Sequence, residues 1–216
     1  MYRIAMLGPQ GSGKGTQSEL LSQALEIPQI TPGVMYRLEV ESETVRGKEI
    51  APILDRGGMV PDDITNEMIR TRLSEPDCAN GYILDGYPRT LEQVADIDAH
   101  LEPLTHVIFI DITDASAVAR LSDRWVCSCG KPYRGSELKR LPGEEARCTV
   151  CGGVLHRRPD DEPDAIRRRL ETYHEYSEKV IDEFRRRGSL IEVHGEQPIA
   201  DVFAEIRTSL GLLDAP

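Results

Sequence analysis

Apolar residues along this chain fall into two alternating patterns. Unbroken apolar runs occur at Ile4-Ala5-Met6-Leu7, Tyr82-Ile83-Leu84, Val107-Ile108-Phe109-Ile110 and around Leu190-Ile191. Runs without polar alternation predict strands buried on both faces, over 2–7, 81–85, 106–111 and 190–193. A fifth, short strand is predicted over 27–30. Between them lie helical spacings. Leu20, Leu21, Ala24 and Leu25 define one face of a helix that follows the first strand. Two helices are expected within 33–57, the second ending at Gly57-Gly58. Pro61-Asp62-Asp63 opens another, because proline and acids suit a first helical turn. Further helices are predicted over 90–102, 114–123, 163–187 and 199–210. Strands alternating with helices predict an α/β fold, a parallel sheet covered by helices on both faces.

The stretch 125–160 breaks this rhythm. It is rich in Gly, Pro, Cys and Arg and lacks helical periodicity. So long a connection needs a function or its own source of stability.

Composition narrows the classes. The 216 residues suit one domain with insertions. A net charge of −11 argues against a long nucleic-acid footprint but leaves room for a local cationic pocket. No apolar run reaches membrane-spanning length. The first residues read as a strand rather than a signal peptide, so the cytoplasm is the expected compartment. Four of the five cysteines cluster between Cys127 and Cys151, which in a reducing compartment suggests metal rather than disulfides. The fifth, Cys78, reads as a packed small residue.

The clearest chemistry is Gly8-Pro9-Gln10-Gly11-Ser12-Gly13-Lys14-Gly15-Thr16, between the first strand and the first helix. Phosphates need many donors in a small volume. Glycines let backbone N–H groups converge, and the helix N-terminus adds partial positive charge. Lys14 is placed to reach the outer phosphates and Thr16 to help hold Mg²⁺, although Gly15 stands where a strict P-loop has the hydroxyl.

This loop, together with Asp85-Gly86-Tyr87-Pro88-Arg89-Thr90 at the end of a predicted strand, resembles the adenylate kinase family over nearly the whole chain. The resemblance implies transfer of a phosphoryl group from ATP to AMP by a monomer, with Mg²⁺. It implies a catalytic set of Lys14, Asp85, Arg89, Arg124, Arg158 and Arg169. The ATP side would comprise Gly11, Ser12, Gly13, Lys14, Gly15, Thr16, Arg120, Arg124, Tyr133 and Gln197. The AMP side would comprise Thr31, Pro32, Arg37, Met59, Val60, Gly86, Arg89, Gln93, Arg158 and Arg169, with Gln93 reading the adenine. Asp160 and Asp161 match an acidic pair beside a hinge. Arg167, Arg168, Arg185, Arg186 and Arg187 read instead as solvated helix positions. The implied division is a core over 1–30, 61–124 and 161–216, an acceptor-binding insertion over 31–60 and a lid over 125–160.

Within that lid, Cys127-Ser128-Cys129 and Cys148-Thr149-Val150-Cys151 offer four thiolates from two turns, suited to structural Zn²⁺ in a lobe with little core of its own. The resemblance is to long-form lids of this kind. Here one residue, not two, separates the first pair, so a tighter chelate with a strained turn is expected. His156 is an alternative ligand.

Other departures concern substrates. Pro32 and Val34 replace a hydroxyl and an acid typical of the acceptor site. Pro32 removes a donor, and Val34 cannot cap a helix. Tyr133-Arg134-Gly135 and Leu141-Pro142-Gly143 differ from the family's lid loop. Two alternatives stay open: a kinase for another monophosphate such as UMP, CMP or a modified nucleotide, and a nucleotide-binding protein without turnover.

Overall fold

The computed structural model describes residues 1–56, 58–138 and 145–212. Gly57 and the Leu141-Pro142-Gly143 segment lie outside them. Strand β1 (Tyr2–Leu7) leads through a loop into helix α1 (Lys14–Leu25) and the short β2 (Gln29–Ile30). Helices α2 (Pro32–Glu41), α3 (Val45–Asp55) and α4 (Asp62–Leu73) precede β3 (Gly81–Asp85). Then come α5 (Leu91–His100), β4 (His106–Asp111) and α6 (Asp114–Ser122). A hairpin, β5 (Arg124–Val126) and β6 (Pro132–Arg134), occupies the cysteine-rich stretch. Helices α7 (Pro163–Thr172) and α8 (Glu178–Arg186), strand β7 (Leu190–His194) and α9 (Ile199–Ser209) finish the chain.

The main sheet has the order β2-β3-β1-β4-β7, every neighbouring pair parallel. The alternation of each strand sorts its side chains between two layers. Ile4, Met6, Ile108 and Ile110 pack with Leu21 of α1 and Val202 and Ile206 of α9. Ala5, Leu7, Val107 and Phe109 pack with Val94 of α5 and Val180, Ile181 and Phe184 of α8. A third cluster joins Ile69 of α4, Leu84 and Ile97, and Cys78 is buried within it, a packing residue as expected.

Several details differ from the sequence reading. The inward face of α1 is Gln17, Ser18 and Leu21, while Ala24 is exposed, because α1 rests on both the sheet and the phosphate loop. The predicted helix over 163–187 is interrupted by a π-helical segment, Tyr173–Ser177, between α7 and α8. The hairpin in 125–160 gathers a small apolar cluster of Cys127, Ala146, Cys148 and Leu155, flanked by Trp125, Tyr133 and Leu138.

Helices α2 and α3 approach each other very closely. A Cβ added to Gly47 of α3 would lie 2.1 Å from the Glu39 carbonyl oxygen of α2, so no larger residue fits there. The Thr44 hydroxyl caps α3 by accepting from the Gly47 N–H at 2.8 Å.

The chain runs from β1 to the β2–β3 side of the sheet, then crosses to the β4–β7 side. Such a switch opens a crevice beyond the carboxyl ends of the strands, where ligands bind in open α/β sheets. The loop after β1 and the segment after β3 both emerge there.

Candidate active site

One cleft of about 1120 Å³ runs across this edge. It is larger than the usual pocket for a single small ligand. The loop after β1, the α2 entry, the Asp85-Gly86 end of β3 and the β5–β6 hairpin all contribute to its wall. Every nucleotide-site and catalytic position singled out from the sequence lies on that wall, from Gly11–Thr16 through Thr31, Pro32, Arg37, Met59 and Val60 to Tyr133 and Gln197. Arg167, Arg168, Arg185, Arg186 and Arg187 do not. Arg167 pairs with Asp164, Arg185 with Glu192, Arg186 with Glu183, and Arg187 with Asp98 and Glu183.

The loop after β1 wraps the Lys14 ammonium, whose Nζ donates to the Pro9 carbonyl at 2.9 Å. Burial lowers the Lys14 pKa to about 7; Asp85 opposes this, and Arg89, Arg169 and Arg124 reinforce it. A desolvated cation among other cations is a site prepared for an anion. Arg120 braces the loop, donating to the Gly11 and Ser12 carbonyls, and ties it to the Gly195 carbonyl.

Further arginines surround the middle of the cleft. Arg89 is held by its own segment, Nε donating to the Gly86 carbonyl at 2.6 Å. Arg169 pairs with Asp160 at 2.9 Å. Burial, then the charges of Arg124 and Arg37, lowers the Arg158 pKa to about 10, so that guanidinium stays cationic at neutral pH. Burial lowers the Arg37 and Arg169 pKa values as well, and Arg124 adds to both effects. Asp160 and Asp161 offset part of this repulsion, and a bound polyanion would relieve the rest.

The Asp85 carboxylate is buried and anchored on one oxygen: Gln29 Nε2 donates to Oδ2 at 3.0 Å and Thr31 Oγ at 3.3 Å. Gln29 is a site residue that sequence reasoning missed; its place one residue after a proline carried no motif signal.

At the α2 entry, Pro32 occupies the first position of the helix with Thr31 as N-cap. The N–H that proline lacks is one of the helix-end donors without an intrahelical partner anyway, so the expected loss of a donor leaves the helix intact. Val34 is half exposed. Tyr36 presents a hydroxyl to the cleft wall, bonded to Thr65 at 2.6 Å. Gln93 is buried, with its amide bonded to the Arg89 N–H and to Asp62.

In the hairpin lobe the sulfurs of Cys127, Cys129, Cys148 and Cys151 all lie within 4.8 Å of one another. His156 is not among them; it is exposed, and its backbone bridges to Val126. The two turns follow one plan. Gly152 N–H donates to the Cys148 carbonyl and Cys148 N–H to the Gly153 carbonyl. Gly130 N–H donates to the Cys127 carbonyl and Cys127 N–H to the Lys131 carbonyl, each span one residue shorter. Gly130 and Gly152 both take positive φ, 91° and 73°, directly after the second cysteine of each pair. The missing residue is thus absorbed by a tighter turn that glycine adopts without penalty, rather than by the strained turn expected. The Tyr133 hydroxyl, 3.2 Å from Cys148 Sγ, draws that thiol's pKa down to about 6, favouring the thiolate that binds metal. The four-thiol set fits a tetrahedral metal such as Zn²⁺.

A phosphate-binding loop at the switch point of a parallel sheet, facing a ring of arginines, defines a P-loop phosphotransferase. A statistical model of the family described as adenylate kinase matches residues 6–189. The chain is 39% identical over 215 residues to the adenylate kinase of Caldicellulosiruptor bescii, covering 97% of this chain and 99% of that protein. It is 40% identical to the adenylate kinase of Symbiobacterium thermophilum and 38% to that of Methanococcoides burtonii, in each case over 212 residues, 96% of this chain and 97% of the relative. The chain belongs to the adenylate kinase family. Among the described residues no helix is long and apolar enough to cross a membrane.

Proposed function

We propose that this protein catalyses ATP + AMP ⇌ 2 ADP. The observation that carries the reading is the convergence of Lys14, Arg37, Arg89, Arg124, Arg158 and Arg169 on one cleft whose two ends are a phosphate loop and the α2 acceptor entry. Phosphoryl transfer proceeds through a loose transition state with charge spread over peripheral oxygens. The protein's task is to hold two anions in line and neutralise that charge. The 11–16 loop, Arg120, Tyr133 and Gln197 bind ATP in this reading. Thr31, Pro32, Met59, Val60, Gly86 and Gln93 hold AMP, with Arg37 and Arg89 on its phosphate. Arg124, Arg158 and Arg169 close around the transferred group, using the forked donors that match phosphate oxygens. No general base is required, because the acceptor is already a phosphate anion.

Asp85 and Thr16 suit the hard oxygen ligands of Mg²⁺, which screens the phosphate charges when bound. Zn²⁺ on the four cysteines supplies rigidity to a lobe whose apolar cluster is small. Residues 31–60 and 125–160 act as an acceptor arm and a lid over the core, excluding water during transfer. The Lys131–Glu19 ion pair, 3.3 Å, joins the hairpin lobe to α1 and supports the lid assignment. The protein works as a cytoplasmic monomer.

The test is incubation with Mg²⁺-ATP and each of AMP, UMP, CMP, GMP and dTMP, with chromatographic detection of diphosphates. Rapid ADP formation with AMP alone is expected. Preference for another monophosphate would move the acceptor assignment, and turnover with none would leave a binding protein.

A further inference from the structure

The Gln93 side chain is buried, and both ends of its amide are already engaged. Its Oε1 accepts from the Arg89 backbone N–H at 2.7 Å. Its Nε2 donates to Asp62 Oδ1 at 2.6 Å. A backbone N–H can only donate and a carboxylate only accept, so these two partners leave the amide a single orientation. The other Asp62 oxygen is committed as well. Thr90 Oγ accepts from the Gln93 N–H at 3.1 Å and donates to Asp62 Oδ2 at 2.7 Å. Gln93 lines the cleft, whereas Thr90 and Asp62 are not on its wall.

We propose that Asp62 is a specificity-positioning residue, which selects the acceptor's base by fixing which way the Gln93 amide faces. The inference rests on the reading of Gln93 as the residue that contacts that base. An amide offers two hydrogens and two lone pairs; Asp62 and Arg89 use one of each, leaving one donor beside one acceptor. A 6-aminopurine edge carries an amino donor beside the N1 acceptor. A 6-oxopurine edge carries the reverse, an O6 acceptor beside the N1–H donor. A locked amide complements one of these patterns and opposes the other, and a site that leaves buried polar groups unpaired rejects the wrong partner strongly. With AMP as the acceptor, the locked orientation is the one that serves the 6-aminopurine, and Asp62 favours that base without touching it.

Inosine monophosphate is the probe, because it matches AMP in size and reverses the edge. The experiment compares kcat/KM for AMP and IMP in the wild type, Asp62→Asn and Gln93→Ala, with thermal unfolding as a check on folding. Asparagine keeps the shape of the aspartate but can donate as well as accept, leaving the Arg89 N–H as the remaining restraint. The expected result is a rise of about 10-fold in the IMP:AMP ratio for Asp62→Asn. A purely structural role would lower both kcat/KM values together and leave the ratio unchanged, which would overturn the proposal. If Gln93→Ala collapses the discrimination while Asp62→Asn preserves it, the base-reading role of Gln93 stands and the role of Asp62 fails. If Gln93→Ala changes neither the AMP KM nor the ratio, the base-reading role itself fails, and the inference with it.

Discussion

The Arg124 guanidinium grips the Asp161 carboxylate side-on, Nε to Oδ2 at 2.8 Å and Nη2 to Oδ1 at 2.5 Å. Asp161 is fully buried, and its Oδ1 also lies 3.5 Å from Arg169. One carboxylate thus aims two of the arginines proposed to close around the transferred group. Asp161→Asn removes the charge while keeping the shape. A loss of about 1.5–3 kcal/mol in stability is expected, the range for a hydrogen bond to a charged group, since Arg124 retains some solvent. The fall in activity should appear in kcat more than in KM, because orientation matters most in the transition state. Urea unfolding and steady-state kinetics check both.

Arg158 stands half-buried in the cleft without so close an acidic grip, and stays cationic although burial lowers its pKa to about 10. Arg158→Ala should lower kcat by about 10²- to 10³-fold, the usual effect of deleting one donor to developing charge. Arg158→Lys should recover only part of it, because an ammonium cannot reproduce the guanidinium fork. Circular dichroism should be unchanged in both.

The Lys14 pKa gives a pH prediction with a definite sign. In the free protein it lies near 7, so at pH 8 the amine is mostly neutral. A bound triphosphate favours the ammonium and raises the pKa, so binding takes up close to one proton at pH 8. At pH 6 Lys14 is already mostly charged and contributes only about a tenth of a proton. Calorimetric titration with ATP in buffers of different ionisation enthalpy reads the proton directly. Lys14→Met should abolish the uptake at pH 8.

Removal of the metal should act on the hairpin lobe first. The protein is expected to carry one Zn²⁺ per chain, lost on treatment with a mercurial and a chelator. If only about 2 kcal/mol of the binding energy reaches global stability, Tm falls by about 4–8 °C. Proteolysis should then cut within 125–160 while the sheet stays intact. Cys148→Ser should reproduce both effects.

The strands and the phosphate loop were legible because their signals are local: unbroken apolar runs and a glycine-lysine cluster between strand and helix. The arginines proposed to be catalytic were legible through the family's motifs, and the structure brings Arg89, Arg124, Arg158 and Arg169 to one wall. Their carboxylate partners were harder to read. Asp160 and Asp161 look alike in sequence, yet only Asp161 is fully buried and takes the two-pronged bond from Arg124. Asp62 passed for an ordinary first-turn acid, since its tie to Gln93 spans 31 positions and exists only once α4 meets α5. The inward face of α1 was misjudged because apolar spacing cannot reveal that Gln17 and Ser18 face inward.

Gly47 touches no part of the cleft, yet it acts as a spacer gauge for Arg37. The backbone of α2 can lie where it does only because position 47 carries no carbon facing Glu39, two residues beyond Arg37. Alanine there would have to push the helices apart by about 1 Å to reach ordinary contact, and a displacement of that size is enough to spoil a reacting geometry. The reach of the arginine proposed to hold the acceptor phosphate is therefore dimensioned from outside the cleft, by an absent methyl group.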